Sequence, residues 1–447
     1  MHQKFIIIVF SLLSSNFLFA QNSFIGIQNS HRKSMHSILM NPAEIGNLGK
    51  KVEVNFFSVQ GSVSNNILSF QDVINNPDDI LDFTFQRANG PVNLRTNVEI
   101  VGPSVGFKWK RWGFGITSQS FASGHIIDLD PKLGESISSE RLGNSFNTFG
   151  INSPYNQRIN LSGWTELGFT AGLEIFQLAA HSISVGSTFK LLFPYFYTNV
   201  GLDRINGTLI QENDEFYLTN TIGSANFSYS NDLVDNNNLT FSASPFNFSN
   251  LNGLGLDLGA NYKWQDQNVT KINAGLTIRN IGGMTLGANQ TNTTYNVNIP
   301  GNERFRLDNL GGNLDDIERQ IVESGYFALE RQEEGLRAAL PTLIAAYGEI
   351  RLSKLFYLSL YGQQKFGSTN RDEQLIAQNL LAITPRLMLG NFEIYSPWIS
   401  YEVAGITGGL GLRFGGLFIG SHSVLTGLIA DTKQADIHAG FSWGFGR

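Results

Sequence analysis

A strict two-residue alternation closes the chain, and it narrows the fold more than any other feature. Ile437, Ala439, Phe441, Trp443 and Phe445 take every second position, with His438, Gly440, Ser442 and Gly444 between them. A strand sends successive side chains to opposite faces, so one face is wholly apolar and the other small and polar. The pattern recurs upstream in segments bounded by turn residues. In 159–176, Leu161, Leu167, Phe169 and Leu173 oppose Ser162, Trp164, Glu166 and Glu174. In 183–197, Val185, Phe189 and Leu191 oppose Ser184, Thr188 and Lys190. In 254–264, Leu256 and Leu258 oppose Asp257 and Lys263, and in 271–281 Leu276 and Ile278 oppose Asn273 and Arg279. Further segments at 52–63, 94–109, 112–127, 341–352, 355–366, 375–389, 392–403, 408–414, 417–428 and 435–445 bring the expected total to about 14 strands, even-numbered as closed bacterial barrels require.

The spaces between these segments alternate in length. Gaps at 65–93, 128–157, 200–251 and 287–339 are long; those at 110–111, 177–181, 265–269, 353–354, 390–391 and 415–416 are short. Outer-membrane barrels have short periplasmic turns and long external loops, so both termini are expected in the periplasm. Within the long gaps, Asp72–Asp82 and Leu314–Ser324 carry helical spacing, and Asn231–Asn252 reads as an exposed loop or hairpin extension.

Charge placement points the same way. Glu166, Glu174, Lys190, Asp257, Lys263 and Arg279 all fall opposite the apolar face. A Lys or Arg facing lipid at the bilayer midplane costs about 2–4 kcal/mol, so these six are expected to face the lumen. They carry both signs and are expected to pair across strands and brace whatever fills the interior. Leu167, Phe169, Leu258, Leu276, Phe441 and Trp443 are expected to face lipid. By the same logic, removing Lys190 should leave the barrel intact.

The chain has 447 residues and no cysteine, which excludes disulfides and thiolate metal sites. Net charge is −6 with 15% charged residues, and no basic field suggests nucleic acid. No apolar run after residue 20 approaches the roughly 20 residues a spanning helix needs, so a membrane location requires a closed barrel. Phe5 to Leu13 is apolar except for Ser11, and Leu18-Phe19-Ala20 precedes Gln21. Residues 1–20 are expected to be a signal peptide, 21–50 a separate N-terminal segment, and 51–447 the barrel.

The segment 21–50 is too irregular for a strand and holds Asn41-Pro42-Ala43. Proline fixes φ and favours an extended residue before it, so a compact bend is expected. Here the chain resembles FadL- and PorV-type outer-membrane proteins, in which a short N-terminal plug carries an Asn-Pro-Ala motif ahead of a 14-stranded barrel. Ser184–Leu191 and Leu276–Gly282 resemble strands of that group. Gly409–Ser421, Ala435-Asp436 and the final strand resemble an uncharacterised Bacteroidota outer-membrane family distantly related to PorV. The resemblance implies a plug at Asn41, Pro42 and Ala43 inside an all-β transmembrane barrel, in the outer membrane of a Gram-negative bacterium.

No enzyme constellation emerges. His31 and His36 are five apart in the N-terminal segment; His422 and His438 lie near Ser421 and Ser423 on neighbouring strands and read as ordinary wall histidines. Gly408-Gly409 and Gly415-Gly416 are hairpin glycines. Neither a cofactor nor a metal is expected. Three functions remain open: a FadL-like conduit for a hydrophobic or amphipathic small molecule, a PorV-like partner in type IX protein export or surface assembly, and a structural or adhesive barrel. Their partners would be outer-membrane lipid, a hydrophobic ligand, or a secreted or surface protein, and not nucleic acid.

Overall fold

The computed structural model describes residues 24–75, 80–138, 147–213, 215–230, 248–267, 269–286, 290–333, 335–366 and 374–446. The expected signal peptide and most of Asn231–Asn252 lie outside the described residues. The protein is all-β, and 14 antiparallel strands close into a ring. They are β1 (Val52–Asn65), β2 (Val92–Val101, then Ser104–Trp109), β3 (Trp112–Leu129), β4 (Asn156–Leu178), β5 (His181–Glu212), β6 (Gly253–Asp266) and β7 (Val269–Leu286). There follow β8 (Leu336–Ala339, then Leu343–Arg351), β9 (Phe356–Lys365), β10 (Leu380–Leu389), β11 (Phe392–Tyr395, then Trp398–Tyr401), β12 (Gly405–Gly408, then Leu410–Phe414), β13 (Leu417–Ser421) and β14 (Gln434–Phe445). Each strand pairs with its sequence neighbours, and β14 closes on β1 with Val52 beside Phe445.

Proline explains where three of the wall strands break. A proline has no N–H to donate to a ladder. Strands β2, β8 and β11 are interrupted at Gly102-Pro103, around Pro341 and at Ser396-Pro397. In the β10–β11 ladder, the break at Ser396-Pro397 lies opposite Thr384-Pro385.

The alternation sets exposure. Asp257 is 4% exposed and its neighbour Leu258 is 42% exposed. Trp109, Trp112, Trp264, Phe356, Phe414 and Trp443 form an exposed aromatic band near the tight-turn end.

Three expectations need correction. The gaps 200–251 and 287–339 are not simple loops. Strand β5 runs on past Thr198 to pair with Glu215–Ser230, which pairs with Gln290–Ile299, which pairs with Phe327–Gln332. This second sheet extends beyond the wall and buries Phe227, Tyr295, Val297 and Ile299 against the helix Leu314–Glu323. Its alternation is diluted by Asn and Thr, which hid it in the sequence. Segment 417–428 is not one strand: β13 stops at Ser421 and a helix runs Val424–Ile429. The His422 N–H donates to the Asp436 carboxylate (2.7 Å) and the Val424 N–H to Ser421 Oγ (3.1 Å), so side chains replace the ladder there. Finally, β10 begins at Leu380 and not at 375.

Candidate functional site

The ring is not empty. The N-terminal segment makes a turn at Phe24–Gln28, a helix Met35–Met40 and a 3-10 turn Pro42–Asn47, and nearly all of it is buried. At the helix start the Ser34 N–H donates to Ser37 Oγ (3.4 Å) and the Ser37 N–H to the Ser34 carbonyl (3.0 Å). Asn41 is extended (φ −149°, ψ 117°), as a residue before proline should be, and its Oδ1 accepts from the Ala43 N–H at 2.9 Å. Ile25, Ile27, Met35, Ile38 and Ile45 are each 2% exposed or less. Burying each contributes roughly 1.5–3 kcal/mol.

The wall makes room for this segment with glycines. A Cβ on Gly186 would stand 2.5 Å from the Pro42 carbonyl carbon, and one on Gly113 2.8 Å from that of Ile45. On Gly275 it would lie 2.7 Å from Asn41 Nδ2, on Gly259 it would overlap Asn41 Oδ1, and on Gly172 it would overlap Ile45. These positions fall on β3 to β7, so one side of the barrel presents bare backbone to the Asn-Pro-Ala turn.

Polar groups clamp it. Fully buried Glu44 accepts from Tyr347 Oη (2.6 Å) and Asn273 Nδ2 (2.7 Å), bonds Asn47 (3.0 Å) and pairs with Lys33 (3.2 Å). Burial alone would raise the Glu44 carboxyl, but the Lys33 charge and these bonds outweigh it and hold the group below its ordinary value. Asn41 Nδ2 donates to the Ala260 carbonyl (2.9 Å) and Tyr347 Oη (3.2 Å). On the other side of the lumen, Arg386 pairs with Glu393 and donates to the Gly26 carbonyl (2.6 Å), and Ser30 Oγ donates to Glu393 (3.0 Å). His31 lies 3.2 Å from Glu349.

Of the six charges singled out by alternation, Glu166, Lys190 and Asp257 meet: Lys190 Nζ lies 3.1 Å from Glu166 and 3.0 Å from Asp257. This triad spans β4, β5 and β6. Lys263 and Arg279 reach the N-terminal segment, donating to Asn47 Oδ1 (3.1 Å) and the Leu39 carbonyl (3.2 Å). Glu174 is half-buried at the tight-turn end and stands apart from the triad. Sequence reading missed Glu44, Glu349, Arg386 and Glu393. The last three have the same signal, a charge between outward apolar neighbours such as Ile350, Leu387 and Ile394. Glu44 has none, because its segment has no strand period. Ser423 Oγ donates to Asp436 (2.7 Å) and not to a histidine, so no serine–histidine pair forms there.

On the long-loop side of the segment the lining changes character. A cavity of about 60 Å³ is bordered by Phe24, Glu99, Gln119, Phe121, Lys190 and Arg279. That admits a few waters and falls far short of the ~300–1,000 Å³ of a ligand pocket. Beyond it, inward-facing Trp164, Leu192, Met284, Leu286, Leu336 and Leu340 form an apolar cluster.

Comparison with solved structures returns barrels of similar length. The Ralstonia pickettii toluene transporter TbuX is 11% identical, with 92% of this chain and 93% of that one covered and a TM-score of 0.39. The CymD monoaromatic hydrocarbon channel is 10% identical (93% and 94% covered, TM-score 0.43), and the P. putida toluene transporter TodX 7% identical (92% and 94% covered, TM-score 0.43). At these scores none bears on what this chain does. No curated protein matches the sequence. The pattern described as "Family of unknown function (DUF5723)" matches residues 42–422, from the proline of the buried turn to the histidine after β13, and the chain belongs to that family.

Proposed function

We propose that the protein is an outer-membrane barrel that conducts an amphipathic or hydrophobic small molecule, with residues 24–48 as its plug. A wall whose outer face is apolar all round, with an aromatic band at one end, suits a bilayer and no soluble monomer. The observation that carries the conduit reading is the layering of the lumen. Apolar Trp164, Leu192, Met284 and Leu336 lie toward the loops, with Lys190 and Arg279 beneath them and the plug below. An aqueous porin has no use for an apolar inner layer; a molecule with an apolar body and a polar end matches it.

Trp164 supplies the test. It is 1% exposed, whereas the remaining tryptophans are exposed on the outer face. Titrating purified protein with dodecanoate and subtracting the Trp164→Phe signal isolates the lumen response. Saturable quenching that Leu192→Glu abolishes supports the reading; a flat difference signal counts against it. The second reading, a partner in surface protein export, is favoured by the sheet that projects beyond the wall. A stoichiometric protein retained through purification, together with a flat titration, would select it.

A further inference from the structure

We propose that His422, Asp436 and His438 bind one divalent transition-metal cation of the zinc class, at the seam between β13 and β14. One potential ligand atom from each lies within 4.8 Å of the others, and both histidines are fully buried. Two imidazoles and a carboxylate are a donor set suited to zinc and its first-row neighbours.

The hydrogen bonds leave His438 Nδ1 free and hold His422 Nδ1 only by a long contact with Tyr401 Oη (3.4 Å), which an ion would displace. His422 Nε2 lies 2.9 Å from the Ile25 carbonyl oxygen, which can only accept. Nε2 therefore carries the proton, and in the neutral ring Nδ1 keeps a lone pair. That Nδ1 stands 3.3 Å from Asp436 Oδ2. A lone pair and a carboxylate at this separation repel unless positive charge sits between them. His438 meets Tyr395 Oη at Nε2 (2.8 Å), while its buried Nδ1 has no hydrogen-bond partner. A buried nitrogen without a partner is unfavourable, and a bound ion would satisfy it.

The surroundings fit as well. A ligating histidine commonly donates its other ring N–H to a backbone carbonyl, as His422 does to Ile25. Asp436 is steadied by Ser423 Oγ at 2.7 Å and by the His422 N–H at 2.7 Å. Ligands on tetrahedral zinc at 2.0–2.1 Å stand ~3.4 Å apart, so side-chain movement of about 1 Å closes the set. The site accounts for β13 ending early, since the His422 N–H is committed to Asp436, and through Ile25 it ties the wall to the N-terminal segment.

The test uses the full barrel purified in detergent, stripped with EDTA, dialysed and given one equivalent of Zn²⁺. Bound metal is counted by mass spectrometry, and cobalt substitution reports the geometry by its visible absorption. One ion per chain is expected. Asp436→Asn keeps the shape and the acceptor for Ser423. It and His438→Ala should each lower zinc affinity by more than the roughly 10–100-fold that loss of an outer partner costs. Folding of the variants is checked by heat-shifted migration on gels. His181→Ala, at an exposed turn histidine, should bind as wild type does. Wild-type protein that retains no zinc would overturn the proposal and leave an imidazolium–carboxylate pair in its place. So would variants at 436 and 438 that bind normally, or loss of binding in the His181 variant.

Discussion

Replacing Glu44 by glutamine should unseat the N-terminal segment while leaving the wall intact. The substitution keeps the shape and removes the charge. Lys33, 8% exposed, is then a buried cation without its 3.2 Å partner. Removing one member of a buried ion pair costs about 3–5 kcal/mol. The amide also puts a donor at one of the two oxygen positions, against either Asn47 or the Tyr347 and Asn273 pair, a further ~1 kcal/mol for each bond lost. Since about 1.4 kcal/mol is tenfold, the released state should gain at least roughly 100-fold in population. The wall keeps its strand ladders, because Glu44 is not part of them. The assay is conductance in planar bilayers at neutral pH, with protease sensitivity at Arg32-Lys33 as a second readout. Glu44→Gln should show openings and cleavage that wild type lacks. A variant as closed and as protected as wild type would refute the claim that this clamp holds the segment.

Four further outcomes follow from the same geometry. Because the seated Glu44 carboxyl is held below its ordinary 4.5, its contribution is fully present above that pH and is lost as pH falls through the lower seated value; wild-type conductance should therefore rise below about pH 4.5, and Glu44→Gln should lack this rise. Gly259→Ala should loosen the segment by forcing a methyl onto Asn41, whereas Gly348→Ala, with open space around it, should behave as wild type in the same protease assay. Leu258→Arg puts a cation on the outer face, at about 2–4 kcal/mol if at mid-bilayer, and should reduce the folded fraction recovered from membranes. Glu318→Ala removes the acceptor shared by Tyr229 (2.6 Å), Tyr295 (2.7 Å) and Thr293, and hydrogen exchange in the helix Leu314–Glu323 should accelerate with the wall unaffected.

The wall was legible because one physical rule governs it: strands in a closed ring alternate, and charges avoid the apolar side. Leu258 and Asp257 obey that rule, as do Phe189 and Lys190. What the rule cannot show is who meets whom. Lys190 reads as a silent lumen residue, yet its ammonium bridges Glu166 and Asp257, so Lys190→Ala should destabilise the barrel by leaving two buried carboxylates together. Asn41-Pro42-Ala43 was visible as a bend, but its seat depends on glycines such as Gly186 and Gly259, far away in sequence. The projecting sheet escaped notice because strands such as Gln290–Ile299 carry Asn and Thr on one face and lack a clean hydrophobic period.

Deleting residues 24–48 shows whether this segment is what closes the barrel. Wild-type protein in a planar bilayer should be closed to ions, because the segment fills the lumen and leaves a cavity of only about 60 Å³ beside it. The deletion variant, if still folded by heat-shifted migration, should show steady open conductance, and adding back a peptide of residues 24–48 should reduce it. A folded deletion variant as closed as wild type would mean that residues 24–48 do not close the barrel.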